Sequence, residues 1–223
     1  KEFIEGAVKQ GHTEEHAGDI FEIMVPFAGY GFNKSHAAAY SVLAYRTGYL
    51  KANYTAEFMA ANLTNEITST DTLPTYIGEA RKMGITVDPP DVNRSDIIFD
   101  VVDGKIVFGL KGIKGVGESV CQNIVEEREK NGPYKSFLDF LKRVDLHICS
   151  KRALEPLIKT GAFDHVGEAE GKNLNRPTLM ANLEAAVEFV NKLNAEKESG
   201  QGSLFGDDED EAMTSITEYD FKI

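Results

Sequence analysis

The sequence predicts a mainly α-helical chain with a small β-ribbon near its middle and a disordered acidic C-terminal tail. Apolar residues recur at three- and four-residue spacing over most of the chain, which is typical of helices that bury one face. Asp103-Gly104 is a hairpin turn pair between two β-like runs. After residue 193 the periodicity stops, and Asp207 to Glu211 is an unbroken acidic run, so no apolar stripe orders the tail.

Four helices are predicted in the first 86 residues. The first begins after the capping residue Thr13 and buries an apolar stripe, and the second begins at Asn33 or Ser35 and ends near residue 53. The third and fourth cover residues 56–65 and 71–83. This part of the chain is therefore predicted to be helical throughout.

The pattern changes after Gly84. Pro89-Pro90 is incompatible with a helix interior, and the β-like runs 97–101 and 106–110 flank Asp103-Gly104. A small β-ribbon is therefore expected there. Four further helices are predicted after it, at residues 118–130, around 137–141, at 151–159 and from 176 to about 193.

A glycine-rich stretch, Gly112-Ile-Lys-Gly-Val-Gly117, lies between the ribbon and the next helix. Glycines two apart with apolar residues around them suit a tight turn that exposes successive backbone N–H groups at a helix N-terminus, which is a phosphate-binding arrangement. A P-loop is excluded because Glu118 stands where the lysine is required, and a dinucleotide fingerprint because Val120 replaces the third small residue. A glycine turn that serves only as a helix entry stays open.

Ile113-Lys-Gly-Val-Gly117, followed by a helix, resembles the helix-hairpin-helix element. The resemblance implies that the hairpin holds one DNA strand by its phosphates without reading bases. Residues 151–193 resemble a second, degenerate copy, in which Glu168-Ala-Glu-Gly-Lys172 looks like an acidic insertion that argues against a second phosphate contact. The DNA-binding residues predicted in this way are Lys111, Lys114, Gly115, Val116, Gly117 and Ser119.

The net charge of −12 would disfavour a nucleic-acid partner if it were evenly spread. Residues 103–160, however, carry 11 basic and 8 acidic groups and form the only net-positive segment. That segment contains the glycine hairpin, so its charge agrees with a local phosphate contact.

Metal, membrane and export signals are not recognised in the sequence. Cys121 and Cys149 lack C-x-x-C spacing, the five histidines are scattered, and no run of 18 apolar residues occurs. We expect reduced cytoplasmic thiols, no metal site and no membrane partner. The N-terminal residues show neither a signal peptide nor an initiator methionine, which suggests a piece of a longer protein.

A longer resemblance is carried by the string Phe27-Ala-Gly-Tyr-Gly-Phe-Asn-Lys-Ser-His-Ala-Ala-Ala-Tyr-Ser41 and by Leu50-Lys-Ala-Asn-Tyr-Thr-Ala-Glu-Phe-Met-Ala60. Both resemble the fingers of the alpha subunits of bacterial replicative DNA polymerase III, the C-family DNA polymerases. From the residues alone, the turn before the second helix is a capped helix start. The resemblance implies instead a cluster beside the incoming nucleotide, formed by Asn33, Lys34, Ser35, His36, Tyr40 and Arg46.

Further segments resemble the same family in the same order. They are Asp88-Pro-Pro-Asp-Val-Asn-Arg-Ser95, then Phe108-Gly-Leu-Lys-Gly-Ile-Lys-Gly-Val-Gly-Glu118, and finally Gln201-Gly-Ser-Leu-Phe205. The last resembles the internal sliding-clamp motif, which implies that Gln201, Ser203, Leu204 and Phe205 bind the clamp; a local contact of Leu204 and Phe205 is the alternative.

The resemblance implies three regions: residues 1–86 as part of the fingers, 87–192 as the β-ribbon with tandem helix-hairpin-helix, and 193–223 as the flexible clamp-binding segment. The whole protein would extend DNA from deoxynucleoside triphosphates with Mg²⁺ and with other replicase subunits. This piece would lack the catalytic palm, hold no catalytic residue or cofactor, and be inactive alone. Two alternatives remain, a helix-hairpin-helix module of a repair nuclease or ligase and a structural protein–protein module.

Overall fold

The computed structural model describes residues 1–28, 33–168 and 174–198, and it confirms the predicted mainly helical class with a small sheet. The chain forms two compact units, of which the first is Lys1–Asn53 and the second begins at Tyr54. Within the described ranges, no helix has the length and apolar character that a membrane crossing requires.

The first unit contains α1 (Glu2–Lys9), α2 (Glu14–Ala28) and α3 (Lys34–Asn53). α1 packs against α2, with the ring centroids of Phe3 and Phe21 5.9 Å apart. Thr13 caps α2 as the sequence predicts, since its Oγ1 accepts a hydrogen bond from the His16 amide. The apolar stripe predicted on α2 is buried only at Ala17, and no residue of α3 is buried.

The second unit begins with two helices and a sheet that share one apolar cluster. α4 (Thr55–Asn65) and α5 (Thr72–Lys82) precede β1 (Val87–Asp88), β2 (Asp100–Val102) and β3 (Lys105–Val107). β3 is the central strand, parallel to β1 and antiparallel to β2. The cluster includes Met59, Leu63, Val87, Phe99 and Ile106. The predicted boundary after residue 86 falls inside this cluster, and the division into regions stays a prediction.

The turn between β2 and β3 is the predicted Asp103-Gly104 pair. Both residues have positive φ, 53° and 74°, as a two-residue hairpin with a primed turn requires. β2 covers only the end of the predicted run 97–101 and continues to Val102. β3 ends at Val107, before the end of the predicted run 106–110, and Leu110 already belongs to a 3₁₀ turn, Leu110–Gly112, that leads into the glycine hairpin.

Four helices build the larger core of the second unit. They are α6 (Glu118–Asn131), α7 (Phe137–Arg143), α8 (Lys151–Thr160) and α9 (Arg176–Glu198). α9 packs against both α7 and α8, and Phe140, Leu154 and Leu183 are among the buried side chains between them. The glycine hairpin contributes Ile113 and Val116 to the same core.

Asn93 joins the segment before the ribbon to the end of α6. Its side-chain amide donates to the Tyr134 carbonyl at 2.9 Å, and its Oδ1 accepts the Tyr134 amide at 2.7 Å, as a strand neighbour would. Arg128 donates from α6 to the carbonyls of Val92 and Ser95. These bonds fix α6 relative to the ribbon and so hold the glycine hairpin between them.

Arg143 secures the other end of α6. Its guanidinium donates to the carbonyls of Gly132 and Pro133 and to the carboxylate of Glu127, and it lies 4.5 Å from the centroid of the Tyr134 ring. The carbonyls of Gly132 and Pro133 lie just after α6, where the helix offers no partner, and one cation satisfies both. The C-terminal end of α6 is therefore held by side chains.

Candidate nucleic-acid interface

The glycine hairpin turns its apolar side chains inward and its backbone outward. Ile113 and Val116 are buried, whereas Lys114, Gly115 and Gly117 are exposed. The Val116 amide donates to the Ile113 carbonyl at 3.0 Å and closes the turn. Val116 is one of the predicted DNA-binding residues. Its side chain is packed in the core, and its amide already donates within the turn.

The two glycines of the hairpin, Gly115 and Gly117, differ in whether the backbone at that position requires a glycine. Gly115 has a φ of +95°, where other residues are strained, and a Cβ there would lie 3.2 Å from Pro156 of α8. Gly117 has an extended backbone with φ −78° and ψ 162°, and a Cβ there would meet nothing within 4 Å. Gly115 is thus required by the fold, whereas the fold has room for a side chain at Gly117.

The N-terminus of α6 is open. Gly117 is its N-cap and supplies no side-chain hydrogen bond. Within the described residues, the amides of Gly115, Gly117, Glu118 and Ser119 have no hydrogen-bond acceptor. Unsatisfied amides at the positive end of a helix dipole attract an anion.

Charged side chains surround this helix end. The Lys111 ammonium lies 2.7 Å from the Glu118 carboxylate in an ion pair, so this predicted DNA-binding lysine has an acidic partner. Lys114 and Ser119 are exposed beside the open amides. The predicted DNA-binding residues are therefore brought together around one helix end, with one carboxylate among them.

The second hairpin follows α8 and has a different arrangement. Gly161, in the left-handed conformation, ends α8, and the Arg176 guanidinium holds the Asp164 carboxylate through two donor nitrogens and also donates to the Lys159 carbonyl. Asn175 Oδ1 accepts the Thr178 amide at 2.9 Å and caps α9. The chain's own groups thus occupy this helix end. Residues 169–173, which hold most of the predicted acidic insertion, lie outside the described part.

The residues predicted to line a nucleotide pocket begin α3. Asn33 Oδ1 accepts the Ser35 amide at 2.9 Å and caps the helix, while Lys34 and Ser35 are exposed. The rings of His36 and Tyr40, one turn apart, have centroids 4.2 Å apart. The first turn of α3 is therefore the capped helix start that the residues alone suggest, and its polar groups face solvent.

Arg46 does not join the other predicted nucleotide-binding residues. It lies eleven positions after Ser35 on the same helix, about 16 Å away at the usual rise per residue. Arg46 instead borders a surface cavity of about 370 Å³ with Tyr45, Tyr49 and Leu50. The structure thus separates Arg46 from the cluster at the start of α3.

Two further predictions concern ligands. Gln201, Ser203, Leu204 and Phe205, the predicted clamp-binding residues, lie outside the described residues. No group of three or more His, Cys, Asp or Glu side chains in the described ranges is placed to hold a metal ion. The described residues therefore do not fit a Mg²⁺ site.

Both cysteines are buried in the larger core and are free thiols. Burial raises the pKa of Cys121 to about 11 and that of Cys149 to about 12, and the backbone N–H of Cys121, which donates to its own sulfur, opposes the shift at that residue. A thiol with a raised pKa is a poor nucleophile and metal ligand. Both residues therefore act as small apolar side chains.

The sequence did not reveal three contacts that shape the site. They are the Lys111–Glu118 ion pair, the Asp164–Arg176 ion pair and the pairing of Asn93 with Tyr134. The partners are 7, 12 and 41 positions apart, respectively. None of these separations is a helical contact spacing, so only the course of the turns brings the partners together.

Comparison with known proteins agrees with this geometry. The family described as "Helix-hairpin-helix motif" matches residues 84–173. DNA polymerase III subunit alpha of Treponema pallidum is 50% identical over 223 residues, which is 100% of this chain and 18% of that protein. The same subunit of Borreliella burgdorferi is 51% identical over 92% of this chain, and that of Thermus aquaticus 45% over 98%; each alignment covers 17% of the relative. This chain thus spans less than a fifth of each relative.

Proposed function

Since this chain is a homologue of a segment of DNA polymerase III subunit alpha, we propose that it binds the backbone of duplex DNA through the first hairpin. One phosphate would lie at the N-terminus of α6, where the amides of Gly117, Glu118 and Ser119 donate to it. Lys114 would supply a nearby charge. Contacts of this kind hold a strand without reading its sequence.

The observation that carries the proposal is the open end of α6 within the matched helix-hairpin-helix region. Its amides have no acceptor within the described residues, its N-cap is a glycine without a side chain, and its apolar neighbours are buried. A backbone phosphate can therefore approach closely and accept several hydrogen bonds at the positive end of the helix dipole.

Fluorescence anisotropy with a labelled duplex of arbitrary sequence tests this proposal on the 223-residue chain. Neutralising about three phosphates gives a slope near −3 in a plot of log affinity against log salt concentration. The slope is expected to be the same for unrelated sequences. A strong base preference, or no saturable binding at low salt, contradicts the proposal.

We further propose that the start of α3 borders the incoming deoxynucleoside triphosphate in the complete polymerase. Lys34 would offset triphosphate charge and Ser35 would donate a hydrogen bond. Both side chains are exposed and available. Replacing Ser35 with a bulkier residue in the full-length protein is expected to raise KM for the nucleotide or alter fidelity and leave clamp binding unchanged. If KM for the nucleotide and fidelity are both unchanged, the proposal is wrong and these residues only begin and cap the helix.

We also propose that Gln201, Leu204 and Phe205 tether the polymerase to its sliding clamp, with Ser203 in the same motif. The two apolar anchors would each contribute about 1.5–3 kcal/mol on burial, against the cost of ordering the segment. Titration of a peptide of residues 197–210 into the clamp tests this by calorimetry. Alanine at Leu204 and Phe205 is expected to weaken binding more than about a hundredfold. Undiminished binding by the alanine peptide discards the assignment.

The activity of the whole protein is also a proposal, because the chain spans only part of its relatives. We infer a cytoplasmic DNA-directed DNA polymerase that uses Mg²⁺ and works with other replicase subunits. Its catalytic carboxylates would lie outside this chain, and no step through Mg²⁺ is assigned to the described residues. Primer extension by the 223-residue chain alone is expected to give no product, and measurable extension contradicts this division of roles.

The alternatives from the sequence differ in measurable ways. A repair nuclease or ligase module would also bind DNA, but polymerase relatives covering 92–100% of the chain favour the polymerase. A structural protein–protein module would show no salt-dependent DNA binding. The anisotropy experiment therefore separates the structural module from both DNA-binding alternatives.

A further inference from the structure

We propose that Glu118 holds Lys111 in an ion pair beside the first hairpin and so keeps this ammonium from a DNA phosphate, which weakens DNA binding. This inference rests on the proposed function and concerns the regulation of the same site. It assigns to Glu118 a role opposite to that of its neighbours Gly117 and Ser119: its carboxylate competes with the ligand.

The position of Lys111 carries the inference. Its ammonium lies 2.7 Å from the Glu118 carboxylate, and Glu118 is the first residue of α6. A cation at the positive end of a helix is unfavourable unless an anion lies between them. The Glu118 carboxylate therefore already holds an ammonium that a phosphate at this helix end would attract.

The exposure of the pair shows that it can open. The side chains are 33% and 57% exposed for Lys111 and Glu118, respectively, so water screens the attraction and the contact contributes little to stability. The pair can therefore form and open while DNA is bound. In the wild type Glu118 competes with the DNA phosphate for Lys111, so the ammonium contributes little to holding the DNA and release is faster.

The test replaces Glu118 with glutamine, which keeps the size and removes the charge. At about 0.1 M salt, Glu118→Gln is expected to bind the labelled duplex about three- to tenfold more tightly, mainly through slower dissociation. The log–log salt slope is expected to steepen by about 0.9, because Lys111 then neutralises one more phosphate. In a Lys111→Met background the same substitution is expected to lose most of this gain.

Glu126→Gln is the matched control. Glu126 is exposed on α6, two turns beyond Glu118, and its substitution changes the net charge equally. A tightening of less than about twofold is expected there, since the charge lies away from the hairpin. Equal tightening by both substitutions overturns the inference and attributes the effect to overall charge. Circular dichroism checks that all the variants are folded.

The outcomes separate this inference from the proposed function. If the wild-type chain binds DNA and Gly117→Val weakens binding, but Glu118→Gln has no effect, only the inference fails. If neither the wild-type chain nor Glu118→Gln binds at any salt concentration, both fail. Binding by Glu118→Gln but not by the wild type supports the inference in its strongest form.

Discussion

The two hairpins of the second unit differ in whether the backbone amides at the following helix N-terminus already have hydrogen-bond acceptors. The first leaves the N-terminus of α6 without a side-chain cap and with amides that have no acceptor among the described residues. The second closes the N-terminus of α9 with Asn175, and Arg176 holds the Asp164 carboxylate beside it. One helix end is available to an external anion, and the other is satisfied by the chain itself.

The difference shows that a hairpin between two helices does not by itself leave backbone amides available to a ligand. Both hairpins pack apolar residues into one core, which Val116 and Phe163 share. Availability of the backbone amides depends on a few polar side chains in the turns. Both hairpins therefore contribute to the core, and under the proposed function only the first would bind phosphate.

Among the variants that test the difference between the two hairpins, Gly117→Val is expected to change duplex affinity the most. The extended backbone and the open space at Gly117 accept a valine, but its side chain keeps a phosphate away from the amides. Loss of about one charge-assisted hydrogen bond weakens duplex binding about tenfold or more. Lys114→Ala, which removes one screened charge, is expected to cost less. Equal losses in anisotropy, with both variants folded, contradict a backbone-amide mechanism.

Alanine at the two glycines separates fold from binding. Gly115→Ala forces a left-handed backbone on a residue with a side chain and is expected to lower the free energy of unfolding by about 1–2 kcal/mol. Gly117→Ala is expected to cost less, about 0.5–1 kcal/mol, because the backbone at this N-cap is extended and alanine is only a poorer cap than glycine. Chemical denaturation measures both. A larger loss at Gly117 than at Gly115 shows that the hairpin geometry described above is wrong.

Arg176→Gln tests whether the second hairpin is closed. The variant loses an ion pair that is partly exposed, so stability is expected to fall by about 1 kcal/mol or less. Duplex affinity is expected to remain within about twofold although a positive charge is removed. A fivefold or greater loss of affinity assigns a DNA contact to this hairpin and removes the contrast between the two copies.

A smaller, pH-dependent effect is expected at the C-terminal end of α6. Burial raises the pKa of Glu127, but hydrogen bonds from Arg143 and Asn131 outweigh it and leave that pKa below its ordinary value of 4.5. The carboxylate therefore stabilises the fold above pH 4.5, and the contribution disappears as pH falls through the lowered pKa.

Urea unfolding of Glu127→Gln measures this contribution. The variant is expected to be about 0.5–1.5 kcal/mol less stable than the wild type at neutral pH, and the difference is expected to close on acidification. Duplex affinity at neutral pH is expected to be unchanged, since the N-terminal end of α6 is left intact. A difference that persists at low pH contradicts the assignment to the ionised carboxylate.

Much of the fold could be predicted from local patterns. Thr13 marks the start of α2, Asp103-Gly104 marks the turn of the ribbon, and the apolar spacing marks α6, α8 and α9. These signals are local because caps, turns and helix faces depend on residues a few positions apart. α1 was missed, since its N-cap is Lys1, which makes no side-chain capping bond.

The state of the site was less predictable. The glycine spacing indicated an amide-lined turn, but not that Lys111 would pair with Glu118 or that Val116 would use its amide within the turn. The apolar stripe of α2 did not reveal its exposure either; Phe27 is 65% exposed. Such features depend on which distant groups the tertiary fold brings near, and periodicity carries no information about that.

Phe108 has a consequence for how the second unit unfolds. Its ring lies 4.8 Å from that of Phe99 in the smaller apolar cluster, and it also packs against the larger one. A side chain shared by two cores couples their melting, since neither core can open without losing that contact. Heating is therefore expected to give one cooperative transition for the helices before the ribbon and the hairpins after it. A protease would then find the two cores either both closed or both accessible.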